Sequence, residues 1–294
     1  MKVGKTANLF LNILFFVLCI ITIIPLILCI SISFSSTADI TKFGYSLWPR
    51  TWNFEAYKYV WNMKMSVINA YGVTIFNTVV GTVTSVLVIA LFAYPISRKD
   101  FKYRNFFSFF VFFTQLFSGG TVASYIICAK FLHLSNTVWA MIFPYVMNAW
   151  YVIIMKTFFS TTVPPAIIES TKLDGAGEYR IFFQFVLPIS LPGIATIALF
   201  QCLHYWGDWW LPTLYITDSK LYNLQFLLRR VITSIRELSE NAELANQSTA
   251  ALADVPEESA QMALCLFVMG PVLIVYPFFQ KYFIQGLTVG AVKG

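Results

Sequence analysis

The sequence predicts an all-α, polytopic membrane protein with six transmembrane helices. Three observations predict it. Hydrophobic residues are 58% of the 294 residues and charged residues only 12%, about half the charged share of a soluble domain. Six stretches hold no Asp, Glu, Lys or Arg: 6–38, 65–97, 105–129, 131–155, 181–207 and 259–280. Net positive charge in the segments between them gathers on one side of the expected membrane. A soluble fold with so little charge would expose large apolar patches and aggregate.

Each stretch meets the roughly 20 residues needed to cross about 30 Å of hydrocarbon at 1.5 Å per residue. A Lys, Arg or Asp at the centre of such a helix costs about 2.5–3.5 kcal/mol, so crossings stay clear of charge. The expected spans are 9–34, 68–97, 105–129, 134–157, 188–216 and 259–281, within one transmembrane domain over 1–294. The first is too long for a signal-peptide core and is expected to remain as an anchor. Pro25, Pro95, Pro144, Pro271 and Pro277 lie within or at the ends of these runs. Neighbouring helices can re-satisfy the carbonyls that such prolines free.

An even number of crossings puts both termini on one side. Lys2, Lys5, Arg98, Lys99, Lys102, Arg104, Lys156, Lys172, Arg180, Lys281 and Lys293 then share a side with only Asp100, Glu169, Asp174 and Glu178, a net +7. The other side holds nine basic and ten acidic residues. The positive-inside rule makes the termini and the loop at 159–187 cytoplasmic. Loops 35–64 and 218–258 then face outward. The first, with Trp48, Trp52, Tyr57 and Trp61, reads as a short amphipathic cap; the second is polar and ends net acidic. A pI near 9 needs no nucleic acid, because no basic cluster exceeds a short loop.

Little here suggests covalent chemistry. Cys19, Cys29, Cys128, Cys202 and Cys265 all lie in uncharged runs without CxxC spacing, as small apolar residues would. His133 and His204 are too few and too far apart for a metal site, and no GxSxG elbow supports a serine nucleophile. Gly4-Lys5-Thr6 imitates the end of a phosphate loop, but no glycine precedes Gly4 in this sequence. The chain is not expected to hydrolyse ATP alone.

Residues 169–192, ESTKLDGAGEYRIFFQFVLPISLP, interrupt the apolar pattern. Pro164-Pro165 stops the fourth span and starts a short helix carrying Glu169 and Lys172. Asp174-Gly175 gives a sharp turn, and Ala176 and Gly177 keep the corner thin. A second helix follows with Tyr179, Phe182, Phe183 and Val186 in one apolar stripe. Leu187-Pro188 is expected to end it. Such a helix–turn–helix suits docking into a protein groove or lying flat on lipid, and both readings stay open on physical grounds.

The stretch resembles the loop signature of the membrane subunits of bacterial ABC importers. Glu169, Asp174-Gly175-Ala176, Phe182, Leu187-Pro188 and Pro192 fall in register with it; Ser170, Thr171 and Phe185 depart mildly. The resemblance implies a type I importer transmembrane domain whose 159–187 loop forms coupling helices. Glu169, Asp174, Gly175, Ala176, Tyr179, Phe182, Phe183 and Pro188 would then meet the ATPase subunit. It also implies a second homologous permease subunit and two ATP-binding subunits holding ATP and Mg, with no cofactor in this chain. An extracellular substrate-binding protein and a bacterial cytoplasmic-membrane location complete the picture, with lipid around the chain and no nucleic acid. The segment HYWGDWW (204–210) is similar to the fifth span of sugar-uptake permeases, with Gly207 where asparagine is common. It offers His204, Tyr205, Trp206, Asp208 and Trp209 as pathway candidates, because aromatic faces stack on sugar rings and a carboxylate holds hydroxyls. An interfacial aromatic belt is the other reading of Trp209 and Trp210. The long outer loop and VPEES (255–259) resemble the oligosaccharide-importing subgroup. An ABC importer permease for another polar solute, a scaffold, a membrane enzyme built on Asp208 and His204, and a secondary transporter are the alternatives.

Overall fold

The computed structural model describes residues 5–245 and 257–291. Helices α1 (Lys5–Ser33), α2 (Thr37–Phe43), α3 (Glu55–Asn62), α4 (Lys64–Ser97) and α5 (Arg104–Leu116) lead into α6 (Gly120–Tyr125), which a π turn extends through Phe131. Two 3-10 turns, Val138–Met141 and Phe143–Tyr145, precede α7 (Ala149–Thr162). Next come α8 (Pro165–Leu173), α9 (Glu178–Ile181), a π turn at Phe182–Val186, α10 (Leu187–Ile189), α11 (Leu191–Trp206) and α12 (Trp210–Tyr215). The last helices are α13 (Leu224–Ala245) and α14 (Glu257–Ala291). The protein is all-α: no strand forms among the described residues, and a lone bridge joins Ser35 and Trp52.

Three of the expected crossings are single long apolar helices: Ala7–Ser33, Lys64–Ser97 and Glu258–Pro277. The other three are broken, which the uncharged runs did not reveal. Arg104–Leu116 and Gly120–Phe131 meet at 115°, Val138–Tyr145 and Ala149–Thr162 at 51°, and Glu178–Ile189 and Leu191–Trp206 at 81°. Each break has a local cause. Gly120 takes a φ of +79° that other residues avoid. Asn148 stops the 3-10 segment and caps α7 by accepting from the Trp150 N–H at 2.9 Å. Ser190 falls between Pro188 and Pro192, two residues that cannot donate a helical hydrogen bond.

Two loop expectations change. Much of the outer loop at 218–258 is helix α13; residues 246–256, including Val255 and Pro256, lie outside the described residues. The expected 188–216 span stops at Trp206 and restarts at Trp210 as α12.

The described residues gather into two compact units, 1–67 with 227–271, and 68–226 with 272–294. In the first, Phe34 stacks on Tyr57 with ring centres 4.8 Å apart, and Tyr57 meets Phe267 at 6.3 Å. Ser36 caps α2 by accepting from the Asp39 N–H, and Thr51 donates to the Asp39 carboxylate. In the second, Ile89, Ala93, Val152, Phe159, Phe182 and Val186 form part of one buried cluster, so the 159–187 loop is packed into the bundle. Its other end is closed by Ala140, Met141, Leu211, Tyr215 and Ile216. There Asn136 accepts from the Thr217 and Asp218 N–H groups at 2.7 and 3.1 Å.

Between these ends α4 and α11 touch closely. The Tyr205 ring lies against Gly81, where an added Cβ would fall 2.6 Å from ring carbons. The Tyr205 hydroxyl donates to the Ile142 carbonyl at 3.0 Å and meets Ser85 Oγ at 3.0 Å. Replacing Gly81 with Ala overpacks this contact and is expected to destabilise the protein by about 1–3 kcal/mol. A lowered Tm of the detergent-purified protein, partly restored by adding Tyr205→Leu, checks it.

Candidate functional site

The elbow is built from short-range rules. Pro164 is extended and Pro165 opens α8, where its missing N–H is no loss. At the other end, the Ala176 N–H donates to the Thr171 carbonyl and the Gly175 N–H to the Lys172 carbonyl, both at 3.0 Å. This pair of bonds is a Schellman motif, and Gly175 supplies its left-handed residue at φ +78°. Nothing lies within 4 Å of where a Gly175 Cβ would stand, so the glycine is required by backbone conformation and not by crowding.

The expected apolar stripe divides. Ile181, Phe182 and Val186 are buried, whereas Tyr179 is 79% exposed and Phe183 about half exposed. The π turn explains the change: with more residues per turn, 181, 182 and 186 align on one face and Phe183 rotates away. Tyr179 stands beyond the packed layer. Leu173, at the end of α8, is 89% exposed, and Glu169, Asp174 and Gly175 are exposed too. Glu169 has no ion pair or hydrogen bond among the described residues. Ala176 is half-buried. Pro188 does not end the helix, which continues through α10 to Ser190. The wider π turn leaves room for the proline ring against the preceding carbonyls.

A four-charge tie anchors this corner. Arg98, at the end of α4, pairs with Asp100 and with Glu178 through different nitrogens. Lys172 pairs with Asp100 at 3.3 Å and Glu178 at 3.2 Å. Tyr94 accepts from Arg98 at 3.1 Å and lies beneath its guanidinium. Lys172 thus turns away from Glu169, its neighbour on the helix. The Arg98 hydrogen bond holds the Asp100 carboxyl down from 3.8 to about 2, against burial that pushes it up. A cavity of about 570 Å³, lined by Tyr94, Arg98, Asp100, Phe101, Tyr179 and Phe182 among others, opens beside the tie. Sequence reasoning missed Arg98, Asp100 and Tyr94 in this role. The cluster of charges at 98–104 was visible, but its partner Glu178 is 80 residues away.

The pathway candidates separate as well. Tyr205 is 1% exposed and packs α11 against α4, so it positions helices and lines no opening in this chain. His204 is exposed and sits edge-on to the Tyr145 ring at 4.2 Å. Trp206 is half-buried; Trp209 and Trp210 are partly exposed and meet edge to face at 5.6 Å. Asp208 was offered as a pathway carboxylate able to hold sugar hydroxyls. Instead it is 7% exposed, and its Oδ1 accepts from the N–H groups of Trp210 and Leu211 at 3.0 and 3.2 Å and from the Tyr145 hydroxyl at 3.3 Å. The Asn223 amide donates to the Asp208 carbonyl at 2.5 Å. Asp208 therefore caps α12 and locks the break after α11. Among the described residues no His, Cys, Asp and Glu group could hold a metal.

Residues 77–289 match the family model described as binding-protein-dependent transport system inner membrane component. The chain belongs to that family. It is a membrane-embedded transport subunit and not an enzyme; ATP hydrolysis is carried by a separate subunit. It is 38% identical to the polygalacturonan/rhamnogalacturonan transport system permease protein YtcP of Bacillus subtilis (strain 168), over 94% of each chain. It is also 38% identical to protein LplC of the same organism, covering 93% of this chain and 90% of that relative. A crystal structure of a bacterial ABC transporter involved in the import of the acidic polysaccharide alginate superposes with a TM-score of 0.79 at 26% identity, covering 96% of this chain and 99% of that one.

A carboxyl held low in the folded state adds stability above its unfolded value, near 4, and loses it as pH falls towards 2. Hydrogen-exchange protection of residues 174–180, corrected for intrinsic rates, is expected to stay level from pH 7 to about 5 and decline below about 4. Asp100→Asn is expected to lower that protection already at pH 7. Equal protection in both proteins at every pH would detach Asp100 from the elbow.

Proposed function

We propose that this chain is a permease subunit of an ATP-driven importer that moves oligosaccharides across a bacterial cytoplasmic membrane by alternating access. Its relatives support a sugar cargo: the names of YtcP and of the alginate transporter both point to polysaccharide-derived solutes. The chain forms half of a pore completed by a second, homologous permease. Two ATPase subunits, binding ATP and Mg, drive it, and an extracellular binding protein delivers the sugar. Both termini and the elbow face the cytoplasm, in line with the basic residues gathered there.

One observation carries the reading. An unpaired carboxylate, Glu169, stands with exposed Leu173 and Tyr179 on a corner whose other side is packed and salt-bridged to the bundle. Exposed apolar and charged groups on a rigid corner suit a protein groove better than lipid. In this reading Glu169 pairs with a cation of the ATPase subunit. Asp174, Gly175 and Ala176 form the corner, and Tyr179 and Phe183 fill the groove. Phe182 and Pro188 pass the push to the bundle, and Arg98 passes it to α4. Of the pathway candidates, His204, Trp206 and Trp209 contact the sugar, while Tyr205 and Asp208 hold the helices that present them.

Assembled transporter reconstituted with its binding protein tests this. Glu169→Lys and Gly175→Val are expected to reduce substrate-stimulated ATPase and uptake at least about tenfold, a loss of about 1.4 kcal/mol of coupling, with membrane insertion unchanged. Normal stimulated ATPase in both variants would rule out the elbow as the point of drive.

A further inference from the structure

Beyond the tie, five described cations at the elbow end of the bundle have no carboxylate partner: Lys99, Lys102, Arg104, Lys156 and Arg180. Two of these are half-buried. Arg104 opens α5, and its Nε is buried with no acceptor among the described residues. Lys156, on α7, crosses to α5 and donates to Ser108 Oγ at 2.9 Å. Arg104 and Ser108 lie one turn apart on the same helix face. Lys156 Nζ, held at Ser108, therefore lies about one helical turn along α5 from Arg104. A cavity of about 290 Å³ has Lys99, Arg104 and Ser160 in its wall, so it reaches the Arg104 side of this pair but not Lys156 or Ser108. Asp100 and Glu169 also line it, but Asp100 is already bound by Arg98 and Lys172.

Two half-buried cations held near each other repel, and a buried guanidinium N–H without an acceptor loses its hydration. Both penalties disappear if one anion sits between them. The position selects the anion: both residues lie where uncharged runs end, at the depth of lipid headgroups. We propose that Arg104, Lys156 and Ser108 form a binding site for a phosphate group, supplied by the headgroup of an anionic phospholipid. Arg104 donates to two phosphate oxygens, Lys156 supplies the second charge, and the Ser108 hydroxyl donates a further hydrogen bond. The acyl chains lie along the exposed Phe109, Phe112 and Phe113 of α5. The lipid is then a component of the joint between α5 and α7. This site does not depend on the cargo or on which face of the membrane carries the elbow.

The test is native mass spectrometry of the assembled transporter, extracted in mild detergent and exchanged against phosphatidylglycerol or phosphatidylcholine. The wild type is expected to retain phosphatidylglycerol about tenfold better than phosphatidylcholine, and R104Q/K156Q to lose that preference. Lys102→Gln, an exposed cation nearby, is expected to keep it. Should the double variant fail to assemble, Arg104→Gln alone and the rise in wild-type Tm with phosphatidylglycerol carry the comparison. Displacement of the lipid by inorganic phosphate, with the same sensitivity to substitution, supports the site and makes the free anion its ligand. No lipid preference in the wild type, or a preference unchanged in R104Q/K156Q, overturns it.

Discussion

Hydrocarbon offers a peptide group no hydrogen-bond partner, and every departure from helix in this chain has to answer to that fact. Three crossings obey it as unbroken helices. The other three break; at one of these breaks, and at two further interruptions of helix, the freed backbone groups find partners. At one, Asn148 accepts the first free N–H of α7. After α11, the Asp208 carboxylate accepts two N–H groups of α12 while Asn223 donates to the Asp208 carbonyl. At the elbow, a Schellman pair satisfies the last carbonyls of α8. The breaks are therefore built structures, and they are where the polar residues of an otherwise apolar chain have been placed.

Much of this was legible in sequence, because charge exclusion is a local property. Uncharged runs marked the crossings, and Asp174-Gly175 marked the corner. The breaks were harder to read. A run free of charge says how much chain can sit in lipid, but not whether it does so as one helix; Ser190 and Gly119-Gly120 are not charged. The face of α9 was misread because helical spacing assumes 3.6 residues per turn, and a π turn breaks that assumption between Phe182 and Val186. The capping role of Asp208 was missed for a different reason. An acid close to a span invites a role in binding, yet its position just ahead of a short helix was a capping signal.

Pairings distant in the chain were invisible altogether. Arg98 finds Glu178 across 80 residues, and Tyr205 finds Ser85 across 120. Neither carries a spacing that a single sequence can show. The first of these contacts ties the elbow to the end of α4. Surface ion pairs are individually weak, and the Asp100, Glu178 and Lys172 side chains are substantially exposed. Arg98 differs: its side chain is 11% exposed, two carboxylates meet it from separate segments, and Tyr94 lies beneath it. A network closed around one shielded guanidinium resists distortion better than the same pairs scattered on a surface.

The contact between Tyr205 and Gly81 bears on motion. A large ring seated over a residue lacking a Cβ is registered along the helix: a shift by one position would drive it into the side chain of Val80 or Thr82. Its hydroxyl, held by Ser85 and Ile142, removes the freedom to twist out of place. The seat thus fixes the register of α11 on α4 and opposes axial slippage of one helix along the other.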